Sequence, residues 1–386
     1  MYKKWVVFSA LTALTLVFSA PSWAVADFAM GGNIQLETSW SFDDVGDLDD
    51  TTATGTPVPA GTGFDDTTDF NSFLLSSSRL NFKAKVGDVT GFYEIGFGAG
   101  AGITTRKAYA EWDAGGFLLL VGRDEGIVAY GFTDQQLNNR RNNKGYGTLY
   151  DGRTDHIRLT IPTETFTFKG ALYQARGQAL LGTAVDTEAP IPGLAAAATF
   201  KPMEMLTFTP SAYFQTYELL APPPAPGAVD YDGEDIDTWA IALDGRVDLE
   251  SFYFAYELWY GQNLGSANFT TQPLTSAQLN ALTAKVEDVN AYGGFVRFVW
   301  PLEMIRFLAG VGAEVVDWDD LDQDLATPAT AADDNTTWSG YVAVIYNFTD
   351  NFWMQPEVSY FDNGNNPRDV DLGNEIWVGI HWQADF

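Results

Sequence analysis

Few side chains in this sequence belong to types that carry covalent chemistry. Cysteine is absent, which removes thiol nucleophiles, zinc–thiolate sites and disulfides. His156 and His381 are the only histidines, and neither has a serine or carboxylate at a recognisable catalytic spacing. Acids cluster at Asp43-Asp44, Asp65-Asp66, Asp230 to Glu234 and Asp317 to Asp324. Calcium is conceivable there, but the last run lacks the glycine at the sixth position of an EF-hand loop. Solvated loop is the simpler reading for all four. Gly96 to Gly102 superficially resembles a phosphate cradle, yet no helix follows it, so a tight hairpin is favoured. No cofactor and no enzymatic step are expected.

What remains is charge acting as a field. Lys plus Arg number 21 against 51 Asp plus Glu, a net charge of -30 with a pI near 4.1. A surface so acidic has no basic excess to neutralise phosphates, which argues against nucleic acid as a partner. The chain also carries 12 Trp, 17 Tyr, 27 Phe and 37 Gly, a mixture that suits strands and turns.

The elements that must position these charges show a period of two. Ile34, Leu36, Thr38 and Trp40 interleave with Gln35, Glu37 and Ser39. Leu80, Phe82, Ala84 and Val86 interleave with Arg79, Asn81, Lys83 and Lys85. Ile305, Phe307, Ala309 and Val311 alternate with Arg306, Leu308, Gly310 and Gly312, and residues 338–348 behave similarly. Each reads as a strand with one apolar face and one polar or small face. Roughly sixteen such segments follow one another, joined alternately by short turns and long loops. The short turns include Gly87-Asp88, Ala114-Gly115, Pro301-Leu302 and Thr349-Asp350; the long loops include 42–72 and 124–154. The spacing predicts an all-β, up-and-down antiparallel meander.

Lys3 and Lys4, an apolar stretch to Phe18 and the Ala24-Val25-Ala26 step predict an export signal over 1–26. The mature domain is then 27–386. No later apolar run is long enough for a transmembrane helix. So many exposed aromatic and aliphatic residues would need a covering layer, and a membrane supplies one if the sheet closes into a barrel. About sixteen strands would enclose a lumen too wide for side chains to fill.

Four stretches, Ser78 to Lys83, Arg106 to Arg123, Arg153 to Pro162 and Val378 to Phe386, resemble the trimeric general porins of Gram-negative bacteria. Ser78 to Lys83 (SRLNFK) is similar to their second strand, and Arg106 to Arg123 (RKAYAEWDAGGFLLLVGR) to their fourth and fifth. Arg153 to Pro162 resembles the sixth, and Val378, Ile380, Trp382, Ala384 and Phe386 alternate out to a terminal Phe, their assembly signal. The resemblance implies an outer-membrane homotrimer of water-filled pores, inserted by the assembly machinery and passing small hydrophilic solutes. It also implies a third loop, about 124–154, folded inward so that Asp124, Glu125 and Asp134 oppose a basic wall of Arg79, Lys83, Arg106 and Arg123. At 106–107 the criteria conflict: local alternation points Lys107 inward, whereas the family pattern points Arg106 inward. The second loop, Ala99 to Gly102, is too short to latch a neighbouring subunit. A solute-specific channel, for instance for sugars, stays open as an alternative, as does a non-channel outer-membrane adhesin or enzyme. On either reading Phe307 and Val344 should face lipid, and Gly310 and Ala343 a wet lumen.

Overall fold

In the computed structural model the described residues are 27–46, 66–97, 102–129, 133–139, 143–175, 186–220, 233–271, 275–280, 285–318, 334–366 and 369–386. The expected export signal and much of loop 42–72 lie outside them. Sixteen antiparallel staves form one closed barrel. They are β1 (Asp27–Asp44), β2 (Thr67–Leu74 and Arg79–Val86), β3 (Val89–Phe97), β4 (Ile103–Asp113) and β5 (Leu118–Glu125). Next come β6 (Arg153–Pro162), β7 (Phe166–Tyr173), β8 (Asp186–Glu188 and Gly193–Met203), β9 (Leu206–Leu220), β10 (Asp235–Asp248) and β11 (Tyr253–Gln262). The last five are β12 (Asn290–Pro301), β13 (Ile305–Asp317), β14 (Asp334–Thr349), β15 (Phe352–Asp362) and β16 (Asn374–Asp385).

Two staves are broken but still count once. Both pieces of β2 pair with β1, and both pieces of β8 lie along β9. Closure comes from β1 against β16, in register from Asn33↔Asp385 to Asp44↔Asn374. Phe386 extends this seam, its N–H donating to the Gly32 carbonyl at 3.1 Å while Gly32 N–H donates back at 2.9 Å. A closed ladder leaves no edge strand, so the backbone is satisfied without water on its outer side.

The alternation in the sequence becomes the two sides of the wall. Ile34, Leu36, Trp40 and Phe42 point outward and are exposed, while Gln35, Glu37, Ser39 and Ser41 point inward and are buried. Aromatic pairs ring the outside at two levels. Trp40–Phe70, Trp239–Tyr260 and Trp338–Tyr360 mark the long-loop end. Phe200–Phe208, Phe254–Phe298, Trp300–Phe307 and Phe348–Phe352 mark the short-turn end. Two girdles around an apolar band are what a bilayer with two polar interfaces requires. Among the described residues no helix is long and apolar enough to cross a membrane.

Inward parity does not always mean wet. Gly310 and Ala343 do face inward, and Phe307 and Val344 outward, as register requires. Yet Ala343 is buried with Phe295, Val299, Leu308, Tyr341 and Ile345, and a Cβ on Gly310 would strike the rings of Tyr341 and Phe295. The expectation of a solvated lumen at these two positions is therefore corrected: around them the inside of β12–β14 is a packed apolar cluster.

Candidate functional site

Between β5 and β6, the described residues 126–129, 133–139 and 143–152 lie inside the barrel and reach its far wall. Ile127 N–H donates to the Tyr173 hydroxyl on β7 at 2.7 Å, and Ala129 N–H to the Ser211 hydroxyl on β9 at 3.2 Å. The far end reaches β15, where Glu357 accepts from Gln136 N–H at 2.8 Å and Leu137 N–H at 3.2 Å. Gln355 and Ser359 donate to the same carboxylate, so four donors converge on one buried acid. The chain then returns along the wall. Asn143 accepts from Ser339, the Gly145 carbonyl from Thr337, the Gly147 carbonyl from Trp259, and Leu149 N–H donates to Glu257. Gly147, at φ 115°, lies against the backbone of Gly294, Gly312 and Ala313, where any Cβ would collide. Backbone donors held inside a barrel must find partners, and the inward carboxylates and hydroxyls of β11–β15 provide them.

On the opposite side, β2–β7 present charge. Glu94 on β3 accepts from Arg106 Nε at 2.9 Å, with Arg79 Nε 3.8 Å away. Lys107 Nζ lies 3.1 Å from Asp124 and 3.4 Å from Glu125, and Arg158 on β6 bonds Asp124 at 3.0 Å. Arg153 and the Tyr150 hydroxyl also reach Glu125. Burial, then the Glu125 charge, pushes the Tyr150 phenol above its ordinary value, so it stays a donor at neutral pH.

The conflict between Arg106 and Lys107 resolves in favour of both. Glu94 opposes Lys107, but Ile95 opposes Thr105, so Arg106 is the extra residue of a β-bulge. A bulge turns two consecutive side chains to one face, which single-strand alternation cannot anticipate. Lys83 is also inward, paired across the ladder with Phe92 and exposed to the lumen.

Arg123 stands apart from the expected basic wall. It opposes Ala108 and shares a side with Val121, which is 52% exposed on the outer face. Its guanidinium forks onto Asp155 at 2.7 and 3.1 Å. Asp124 and Glu125 belong to the end of β5 rather than to the loop, though they do meet the basic residues. Asp134 is in the loop and pairs with Arg297 on β12 at 2.9 Å, far along the chain from the residues first assigned to the wall. Arg158, Lys169 and Arg297 were missed because a lone cation in a strand gives no signal until its register is known.

Two hollows flank this charged side. One of about 690 Å³ is lined by Arg106, Arg123, Lys144, Tyr150, Arg153 and Asn268 among others. A second of about 310 Å³ is lined by Lys107, Asp124, Glu125, Ile127, Arg158 and Lys169 among others. Both histidines are buried in the wall, His156 beside Tyr173 and His381 beside Trp353. Among the described residues no three His, Asp or Glu side chains gather as a metal site. Much of the acidic loop sequence considered for calcium lies outside the described residues.

No protein-family model and no curated protein matches the sequence. Solved structures do. The outer membrane channel DcaP of Acinetobacter baumannii superposes with a TM-score of 0.70 at 16% identity, covering 94% of this chain and 97% of that one. The anion-selective porin from Comamonas acidovorans gives 0.56 at 10% identity over 94% and 100%. The trimer form of OmpT, an outer membrane protein of Vibrio cholerae, gives 0.52 at 13% identity over 94% and 99%. The fold of this chain is therefore that of the sixteen-strand outer-membrane porins.

Proposed function

We propose that this chain is a Gram-negative outer-membrane channel through which ions and small hydrophilic solutes diffuse passively. The observation that carries the reading is a charged strip beside a hollow inside an apolar-belted closed barrel: Arg79, Lys83, Arg106, Lys107, Arg158 and Lys169, interleaved with Glu94, Asp124 and Glu125. Selection follows from pore width and from the field at the narrowest part. Two fields compete. The long-loop end carries Asp43, Asp44, Asp66 and Asp69 and enriches cations. Charges further apart than about 8 Å are screened at physiological salt, so that mouth potential fades as salt rises. The inner cations act at closer range on anything passing through. Weak cation preference at low salt should drift towards neutral or anion preference at high salt.

Planar-bilayer recording of the purified protein under a salt gradient tests this. Discrete conductance steps with a salt-dependent reversal potential are expected, and a protein that reconstitutes but never conducts would sink the reading. Trimer assembly through the barrel wall is part of the same proposal, checked by cross-linking in native membranes. Phe386, at the closing seam, is proposed as the assembly signal. Deleting it should strand the chain in the periplasm, and normal outer-membrane levels would count against that role. A solute-specific channel gains one supporting feature, the stacked Phe92–Tyr109 pair facing the lumen at 5.3 Å. Block of the ion current by maltodextrins would favour it.

A further inference from the structure

The family resemblance implies one inward loop, and the barrel holds a second inward segment. Residues 263–271, between β11 and β12, dip into the lumen and rest on the returning limb of 126–152. Asn263 starts the dip at φ 53° and Asn268 ends its short turn at φ 60°, a backbone region that asparagine tolerates better than most residues. The Asn263 side chain ties the root to the wall, donating to the Asp237 carbonyl at 2.9 Å and accepting from Val289 N–H at 2.9 Å. Phe269 is fully buried, edge-on to Tyr213 of β9 at 4.8 Å. Its carbonyl accepts Tyr150 N–H at 3.1 Å. Asn268 receives Lys144 Nζ on its side-chain oxygen at 2.6 Å, and the Thr270 hydroxyl donates to the inward Glu314 at 2.5 Å.

These contacts join two loops and a wall into one apolar core. Ile127, Val128 and Leu149 of the first loop, Leu264, Ala267 and Phe269 of the second, and Tyr173, Tyr213, Trp259 and Val316 of the wall pack together. We infer that residues 263–271 form a second pore-closing wedge, with Phe269 as its keystone, which fills the lumen against the long-loop halves of β7–β13 and directs passage there to the β2–β7 side. The wedge sets the open cross-section and forces every solute past Arg106, Lys107 and Arg158. The inference rests on the channel reading and adds a specificity-determining element to it.

The test compares wild type with Phe269→Ala and Thr270→Val in bilayers, with liposome-swelling cut-offs for neutral sugars. Opening the sealed side should roughly double the single-channel conductance, because conductance follows open cross-section, and should admit larger sugars. Reversal potentials should move away from anion preference as ions bypass the basic strip. Heat-modifiable mobility on gels reports barrel closure independently, and it should be retained because the strand ladder is untouched. A second readout does not depend on conduction. The chain has no native cysteine, so Ala267→Cys can be labelled with a bulky maleimide. Slow labelling in the otherwise wild-type protein, and fast labelling once Phe269→Ala is added, support the wedge. Fast labelling of Ala267→Cys alone, or a folded Phe269→Ala protein with unchanged conductance and cut-off, overturns it. A wild-type protein that does not conduct at all would instead count against the channel reading.

Discussion

The two sides of the lumen solve the same problem in opposite ways. From β2 to β7 the inward residues are ions that neutralise one another around hollows, as in the Arg106–Glu94 and Lys107–Asp124–Arg158 contacts. Towards the long-loop ends of β7 to β13 many inward residues are small or aromatic, Ala171, Ala195, Tyr213, Ala240 and Trp259 among them, and two loops pack against these. Alanine positions leave room for a loop to approach, and buried acids such as Glu257 and Glu357 absorb its backbone donors. A charged side must keep its water, because an unpaired buried ion is costly. A filled side must satisfy every polar group it covers. The same barrel thus holds a passage and a core.

The largest expected effect falls on the filled side. Glu357→Ala removes the acceptor of two buried loop N–H groups, at about 1–3 kcal/mol for each. The loop end should detach from β15, measurable as new protease cleavage near 134–139 and as open-channel noise. An equally quiet, protease-resistant variant would mean that apolar packing alone holds the loop.

Next comes a direct contrast of inward positions. Gly310→Arg should cost at least about 1–3 kcal/mol through overpacking against Tyr341 and Phe295. Lys83→Arg, on the open side, should stay within about 0.5 kcal/mol. Urea unfolding of the two variants in the same detergent or lipid decides this, and equal costs would break the distinction between the sides.

Smaller still are the shifts in selectivity. Arg106→Gln and Lys107→Gln should each move reversal potentials towards cations at high salt, since each removes an inward cation next to a remaining carboxylate. If only one does so, the bulge at 106 does not present both residues to passing ions. Smallest of all is Arg123→Gln. Its fork with Asp155 lies on the outer side of the strand, so it should shift reversal potentials less than either neighbour. A larger shift than for Arg106→Gln would place the selective field at the rim instead.

Alternation alone made the barrel legible. Ile34, Leu36 and Trp40 against Gln35, Glu37 and Ser39 assign both faces of β1 before any contact is known, and the structure keeps that assignment. The same logic fails where a strand is irregular. Nothing in Thr104-Thr105-Arg106-Lys107 announces a bulge, because a bulge is defined by the partner strand, and here Glu94 and Ile95 create it. The motif around Arg123 implies an inward side chain, yet its facing follows from pairing with Ala108. Asp134 lies in the inward loop, but its partner Arg297 lies more than a hundred and fifty residues along the chain.

By itself, then, the sequence determined strand number and the apolar exterior, since each depends on a local period of two and on turn spacing. The filling of the lumen was decided by tertiary structure. Whether an inward Ala, Gly or Glu meets water or a loop depends on where 126–152 and 263–271 come to rest. Their resting places are set by long-range acceptors such as Glu357 and Glu314 and by the collision-free approach at Gly147. Those contacts join residues far apart in the chain, and no local pattern encodes them.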